Sequence, residues 1–261
     1  MTTTKASKRI GAVAVLASAL AVAGCGEGGE EASSAGGSGA SAGTDLPQGS
    51  EPVELDPADF TTEIDNEYWP MTVGSRWQYR ETDAEGTLQK VVVTVTDDTK
   101  MIANGVEARV VHDVVTEDGE KVEVTDDWYA QDSEGNIWYM GEDTTEYENG
   151  KPVSKAGSFE AGVDGAQPGI IMPATPEEGM TYRQEYYEGE AEDEGEVVSL
   201  GEQAQVPAGH YTDVLMTKDT NPLEPKVLEF KFYAPGVGPV LAISASGESD
   251  REDLVSYREG T

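Results

Sequence analysis

The sequence predicts an all-β fold, an antiparallel up-and-down meander that forms a curved sheet, half-barrel or barrel. Three observations carry this expectation. A short turn ending in glycine recurs at Ala84-Glu85-Gly86, Ala103-Asn104-Gly105, Glu117-Asp118-Gly119, Ser133-Glu134-Gly135 and Glu148-Asn149-Gly150, at intervals of 19, 14, 16 and 15 residues. The segments between these turns are dense in Val, Thr, Tyr and Trp, which suit a pleated, half-buried surface. No window sustains a helical period. Each turn reads as a three-residue hairpin loop whose glycine takes the left-handed conformation that a Cβ would strain.

From the N-terminus, a basic stretch (Lys5, Lys8, Arg9) leads into an apolar run from Ile10 to Val22 and the string VAGC ending at Cys25. The run has the length of a secretory h-region and is shorter than the ~18 apolar residues that cross a bilayer. Small residues before a cysteine resemble the bacterial lipobox, so residues 1–24 are read as a lipoprotein signal peptide and Cys25 as the lipidation site. Two or more acyl chains give stable anchoring. This is the chain's one cysteine, so no intrachain disulfide can form even in an oxidising compartment. Residues 25–56, rich in Gly, Ser, Ala and acid, read as the lipidated cysteine followed by a flexible acidic linker, with an r.m.s. reach of ~30 Å.

Residues 57–261 then form a single all-β domain. The string DPADFTTEI, from residue 56, opens it as a short helix. Strands follow at RWQYRET, LQKVVVTVTDD, VEARVVHDVVT, KVEVTDDWYAQD and NIWYMGEDTTEYE. Alternation puts Trp77 and Tyr79 on one face of the first, and Val91, Val93 and Val95 on one face of the second. In the hairpin around Gly135, Ala130 should face Trp138, Tyr129 should face Tyr139 and Trp128 should face Met140. That register makes a core-facing Trp layer, with Tyr129 and Tyr139 on the opposite face. Residues 161–180, with three prolines and an apolar GIIM, read as a long loop with a buried plug. Six further strands resume at TYRQEYYE and end at EDLVSY, giving about a dozen in all, and a sheet of that size curls, closes or splits.

Charge narrows the function. Of 17 basic residues three precede Cys25, whereas all 51 acidic residues follow it, leaving 14 against 51, a net −37. Nucleic acid is excluded as a partner, since its binders neutralise phosphates with Lys and Arg. Only His112 and His210 are available as imidazole bases. His112 shares a strand face with Val110 and Val114 and reads as a sheet histidine; His210 follows a turn and reads as exposed. The body has no G-x-S-x-G elbow. Two separate histidines and no free thiol make no zinc site, and DSEGN at 132–136 lacks the alternation of a calcium loop. The chain is therefore read as non-enzymatic, with no catalytic residue, metal or cofactor.

Several strings resemble an uncharacterised family of bacterial secreted proteins and lipoproteins: DWYAQDSEGNIWYMGE, PGIIMPA, YRQEYYEGEAED, VPAGHYTDVL, and PLEP followed by KFYAPGVGPV. The resemblance implies a secreted β-rich domain. The family has no assigned activity, so it implies no site residues.

Together these features suggest an extracytoplasmic lipoprotein held to the cell membrane through Cys25, acting as a binding module for a small or lipidic ligand or an envelope protein. Arg76, Arg80 and Arg183 stand in aromatic strands of an arginine-poor body, and Arg183 shares a face with Glu185. With Trp128 and Trp138 they form the candidate ligand-binding set. A structural envelope protein with a filled core is the alternative, and a carboxylate-dependent hydrolase ranks last.

Overall fold

The computed structural model describes residues 46–82, 86–245 and 250–261. The signal peptide, Cys25 and the linker up to residue 45 lie outside the described residues. After a three-residue 3-10 turn (Pro57–Asp59), where the sequence suggested a short helix, come β1 (Phe60–Thr61), β2 (Arg76–Thr82), β3 (Leu88–Met101), β4 (Glu107–Glu117), β5 (Glu120–Asp132) and β6 (Ile137–Glu148). The middle of the chain forms β7 (Lys151–Ser154), β8 (Phe159–Glu160), β9 (Gln167–Met172), β10 (Thr181–Arg183) and β11 (Glu185–Tyr186). The last part forms β12 (Glu194–Val206), β13 (Gly209–Thr220), β14 (Leu228–Ala234), β15 (Gly238–Ser244) and β16 (Arg251–Arg258).

All pairings are antiparallel and make one 16-stranded sheet, so the all-β meander is correct and the strands exceed the dozen read from the sequence. Its path runs β10-β12-β13-β14-β15-β16-β2-β3-β4-β5-β6-β9-β11. The two ends of the path are neighbours in the chain, separated by Gln184 alone. One kinked segment, residues 181–186, thus pairs with β12 on one edge and β9 on the other, and brings the curved sheet to a nearly closed barrel. At the kink Gly169 lies against the backbone of Arg183 and Gln184, so close that a Cβ there would stand 2.4 Å from Arg183 O.

The glycine turns form as expected, with one refinement. Gly105, Gly119, Gly135 and Gly150 all have φ between 72° and 98°. Asp118 and Asn149 are also at φ 51°, and Glu117 pairs with Glu120 and Glu148 with Lys151. Those two loops are therefore two-residue turns of the doubly left-handed type that Asp-Gly and Asn-Gly favour. The 161–180 loop is a correction: it contains β9, with Ile170, Ile171 and Met172 all buried. A continuous apolar run buried on both faces shows no alternation, so its pattern did not announce a strand.

Residues 46–55, assigned to the linker, belong to the packed body. Leu46, Val53 and Leu55 pack against the core, and Arg183 N donates to Pro47 O. Their few apolar side chains are spaced too widely to register as an element.

Candidate functional site

The hairpin of β5 and β6 divides the molecule into an inner and an outer side. Tyr129 faces Tyr139 and Ala130 faces Trp138, as the turn at Gly135 predicts, but a bulge then places Trp128 opposite Gly141 rather than Met140. The faces are the reverse of the expected core-facing Trp layer. Tyr129 and Tyr139 stack at 5.0 Å inside the barrel, and Trp69 bridges Tyr129 to Tyr233 on β14 across the interior. Trp128 and Trp138 are buried as well, but on the outer face of the sheet, where Lys100 covers the first and Phe60 packs edge-on against the second. The reason is polar. Phenol hydroxyls both donate and accept, which suits the interior carboxyl groups, whereas the Trp138 indole, a donor only, bonds the turn carboxylate Asp132 Oδ2 at 2.8 Å.

Tyr139 Oη lies 2.7 Å from Asp127 Oδ1 and 2.9 Å from Glu142 Oε2. A phenol has one proton to donate, so one carboxyl must itself carry a proton and donate to the phenol oxygen. Burial accordingly pushes Asp127 up to about 7 and Glu142 well above the usual range. Glu185 and Asp193 form a second such pair: burial raises both, Asp193 to about 7, and a proton shared between them explains why Glu185 finds no other partner. Asp113 and Glu252 are raised in the same way by burial beside further acids. Lys231 is a buried cation among these acids, its Nζ 2.8 Å from Asp219 Oδ2 and 3.2 Å from Glu229 Oε2. A cavity of about 40 Å³ adjoins this group, bounded by Gln184, Asp193, Asp219, Glu229 and Lys231. It has room for ordered water and none for a lipid.

The outer side of β3 to β6 carries an open groove of about 600 Å³, lined by Lys100, Val110, His112, Asp126, Trp128 and Asp143 among others. His112 Nδ1 meets Asp126 Oδ1 at 2.6 Å, and Val110 lies on the same face, as the alternation implied. Lys100 Nζ sits 4.2 Å from the Trp128 ring centroid and 3.0 Å from Glu160 Oε2.

The six candidate contacts do not converge. Arg76 and Arg80 are on β2, and Arg80 pairs with Asp253 at 3.3 Å with half of its side chain in solvent. Arg183 is buried, and backbone carbonyls occupy it: Nε and Nη2 donate to Pro168 O, and Nη1 to Gly49 O and Glu51 O. It does not share a site with Glu185, because the chain kinks between them and Glu185 enters the interior. Trp128 alone lines the groove. Apart from Glu185, the interior acids and Lys231 were missed, since nothing distinguishes them among 51 acidic residues until β12, β13 and β14 are brought together. Among the described residues, no group of three His, Cys, Asp or Glu side chains is arranged to hold a metal ion.

No protein-family model and no curated protein matches the chain. Two solved structures are similar to it. One, from Bacteroides fragilis, is described as an exported protein with a YmcC-like fold; it is 16% identical, covers 75% of this chain and 100% of its own, and has a TM-score of 0.43. The other, from Parabacteroides distasonis, is described as a lipoprotein; it is 14% identical, covers 74% of this chain and 99% of its own, and has a TM-score of 0.39.

Proposed function

We propose that the protein is a membrane-tethered extracytoplasmic recognition domain that takes a cationic segment of an envelope protein into the outer groove of β3 to β6. The observation that carries this reading is Lys100: its ammonium already rests on Trp128 with a carboxylate beside it, so the groove accommodates a cation of the chain's own. A lysine or arginine of a partner would exchange with it, with Asp98, Asp126 and Asp143 supplying countercharge. The net −37 beyond Cys25 attracts such a partner from a distance. The interior, filled by tyrosines and carboxyl groups, argues against a carrier that encloses a lipid. The signal sequence and Cys25 support the extracytoplasmic, lipid-anchored setting.

The test is titration of the detergent-solubilised chain with a short lysine-rich peptide and its fully acetylated counterpart. A cation on an aromatic face is worth ~0.5–2 kcal/mol, so Trp128→Ala should weaken binding of the charged peptide by a few-fold to about thirty-fold. Lys100→Met, which removes the resident ammonium, should strengthen it. Equal binding of the charged and acetylated peptides, or no binding by the Lys100→Met variant, would overturn the proposal and favour the structural envelope role.

A further inference from the structure

Two facing pairs of residues on β13 and β14 place reactive groups together in the interior. In the antiparallel register Thr217 is opposite Lys231 and Asp219 is opposite Glu229, so all four side chains share one face of one hairpin. Thr217, Asp219 and Lys231 are buried, and Glu229 is half-buried at their edge. Lys231 Nζ approaches Asp219 Oδ2 to 2.8 Å, yet Oδ2 receives no hydrogen bond in proper geometry. The ammonium is therefore pressed off-axis against the carboxyl group. Thr217 Oγ1 donates to the other oxygen, Asp219 Oδ1, at 3.0 Å. Glu229 Oε2 reaches the same Nζ at 3.2 Å.

We propose that Lys231 and Asp219 condense to an intramolecular amide, a covalent staple between β13 and β14. The arrangement has the parts such a reaction needs: a nucleophile held in contact with its electrophile, a proton relay, and a donor for the developing oxyanion. Glu229 is the relay: its Oε2 lies 3.2 Å from Lys231 Nζ, and burial raises it although Lys231 beside it works the other way. Burial lowers Lys231, but Asp219 and Glu229 outweigh it and hold the ammonium well above the usual lysine range. The ion pair is therefore the resting state, and the reaction runs through its minor neutral tautomer: Glu229 passes its proton to the Asp219 carboxylate and takes one from the Lys231 ammonium, leaving a neutral amine beside a neutral acid. Nζ then bonds to Asp219 Cγ, with Thr217 holding Oδ1. A second proton passes from nitrogen through Glu229 to the departing hydroxyl, the Cγ–O bond breaks, and one water leaves. An ammonium and a carboxylate have become an amide and water, with no oxidant or cofactor. The adjoining cavity, on the Asp219 and Glu229 side, receives the water.

The chemistry suits this chain. With its single cysteine at position 25, the body has no disulfide to fasten it, whereas a lysine–aspartate amide needs no thiol and resists reduction. The staple closes the hairpin that borders β12 and the kinked closing segment.

The test is a tryptic map of the full chain recovered from its own membranes. If the amide forms, Lys231 is blocked to trypsin, and the peptide 219–226 is found joined to 227–251, the pair lighter by one water than the separate sequences. Lys231→Arg and Asp219→Ala should abolish this branched product. Glu229→Gln should lower its yield severalfold while leaving both reacting residues in place; full yield in that variant would overturn the relay. Recovery of the free peptide 227–231, cut after an unmodified Lys231, in stoichiometric amount from the wild-type chain overturns the staple itself, and requires no variant to fold.

Discussion

Raising the pH from about 5 to about 7 should weaken the folded state, because the interior carboxyl groups hold protons that an unfolded chain releases. Asp127 is held at about 7 by burial, against ~3.9 in an unfolded chain. Between those values the folded protein binds more protons than the unfolded one, so stability falls as pH rises. Each such group removes about 1.4 kcal/mol per pH unit over that window and nothing further above it. Asp193 is also held at about 7, so the two together give a slope of roughly −2.7 kcal/mol per pH unit near the middle of the window. Glu142, Glu185, Asp113 and Glu252 are raised by the same burial and steepen it. The assay is urea unfolding followed by tryptophan fluorescence at several pH values between about 5 and 8, for the wild type and for Asp127→Asn. The amide at 127 keeps a partner for Tyr139 and has no proton to lose. The variant's slope should be shallower by about 1.4 kcal/mol per pH unit, and above neutrality it should be at least as stable as the wild type. Stability that rises with pH across this range would refute the reasoning, since it would mean that these carboxyl groups are ionised and paired in the folded state.

Other substitutions test the closure of the barrel and the tether. Arg183→Met leaves the carbonyls of Gly49, Glu51 and Pro168 without their donor; it should cost about 3–5 kcal/mol, and hydrogen exchange should rise first in residues 46–51. Gly169→Ala drives a Cβ into the backbone of Arg183 and Gln184, so a loss of about 3 kcal/mol or more is expected in thermal unfolding, with no comparable loss at Gly179, where a Cβ meets open space but φ alone is strained. Cys25→Ser should move the protein from the membrane to the soluble fraction on cell fractionation, as loss of the acyl chains removes its only predicted anchor.

The first half of the barrel was legible because each long hairpin there carries its own local instruction. Glycine at 105, 119, 135 and 150 sets the turns, and period-two alternation in β2 and β3 sets the buried face. The closing region carries no such instruction. The string TYRQEYYE reads as one strand, yet Arg183 and Glu185 belong to opposite edges of the sheet, and only the approach of Gly169 from a distant strand produces the break between them. The inversion of the Trp and Tyr faces has a similar origin. Alternation separates the two sets correctly, but which set faces inward depends on the carboxyl groups that β5 and β6 bring to the phenols and on the cover that β1 and Lys100 give the indoles. Lys231 and Asp219 were illegible for a simpler reason: one more lysine and one more aspartate have no local signature, and their meeting depends on the register of β13 with β14.

The pairing of β16 with β2 ties residue 258 to residue 76 and makes the final strand of the barrel the neighbour of its first long one. A ribosome that has yet to reach the final residues therefore holds a chain whose barrel is incomplete, with its interior acids in water and ionised. Sheets that join such distant parts of a chain fold slowly. For a polypeptide whose first residues read as a secretion signal, that delay would keep the chain open for a translocation channel.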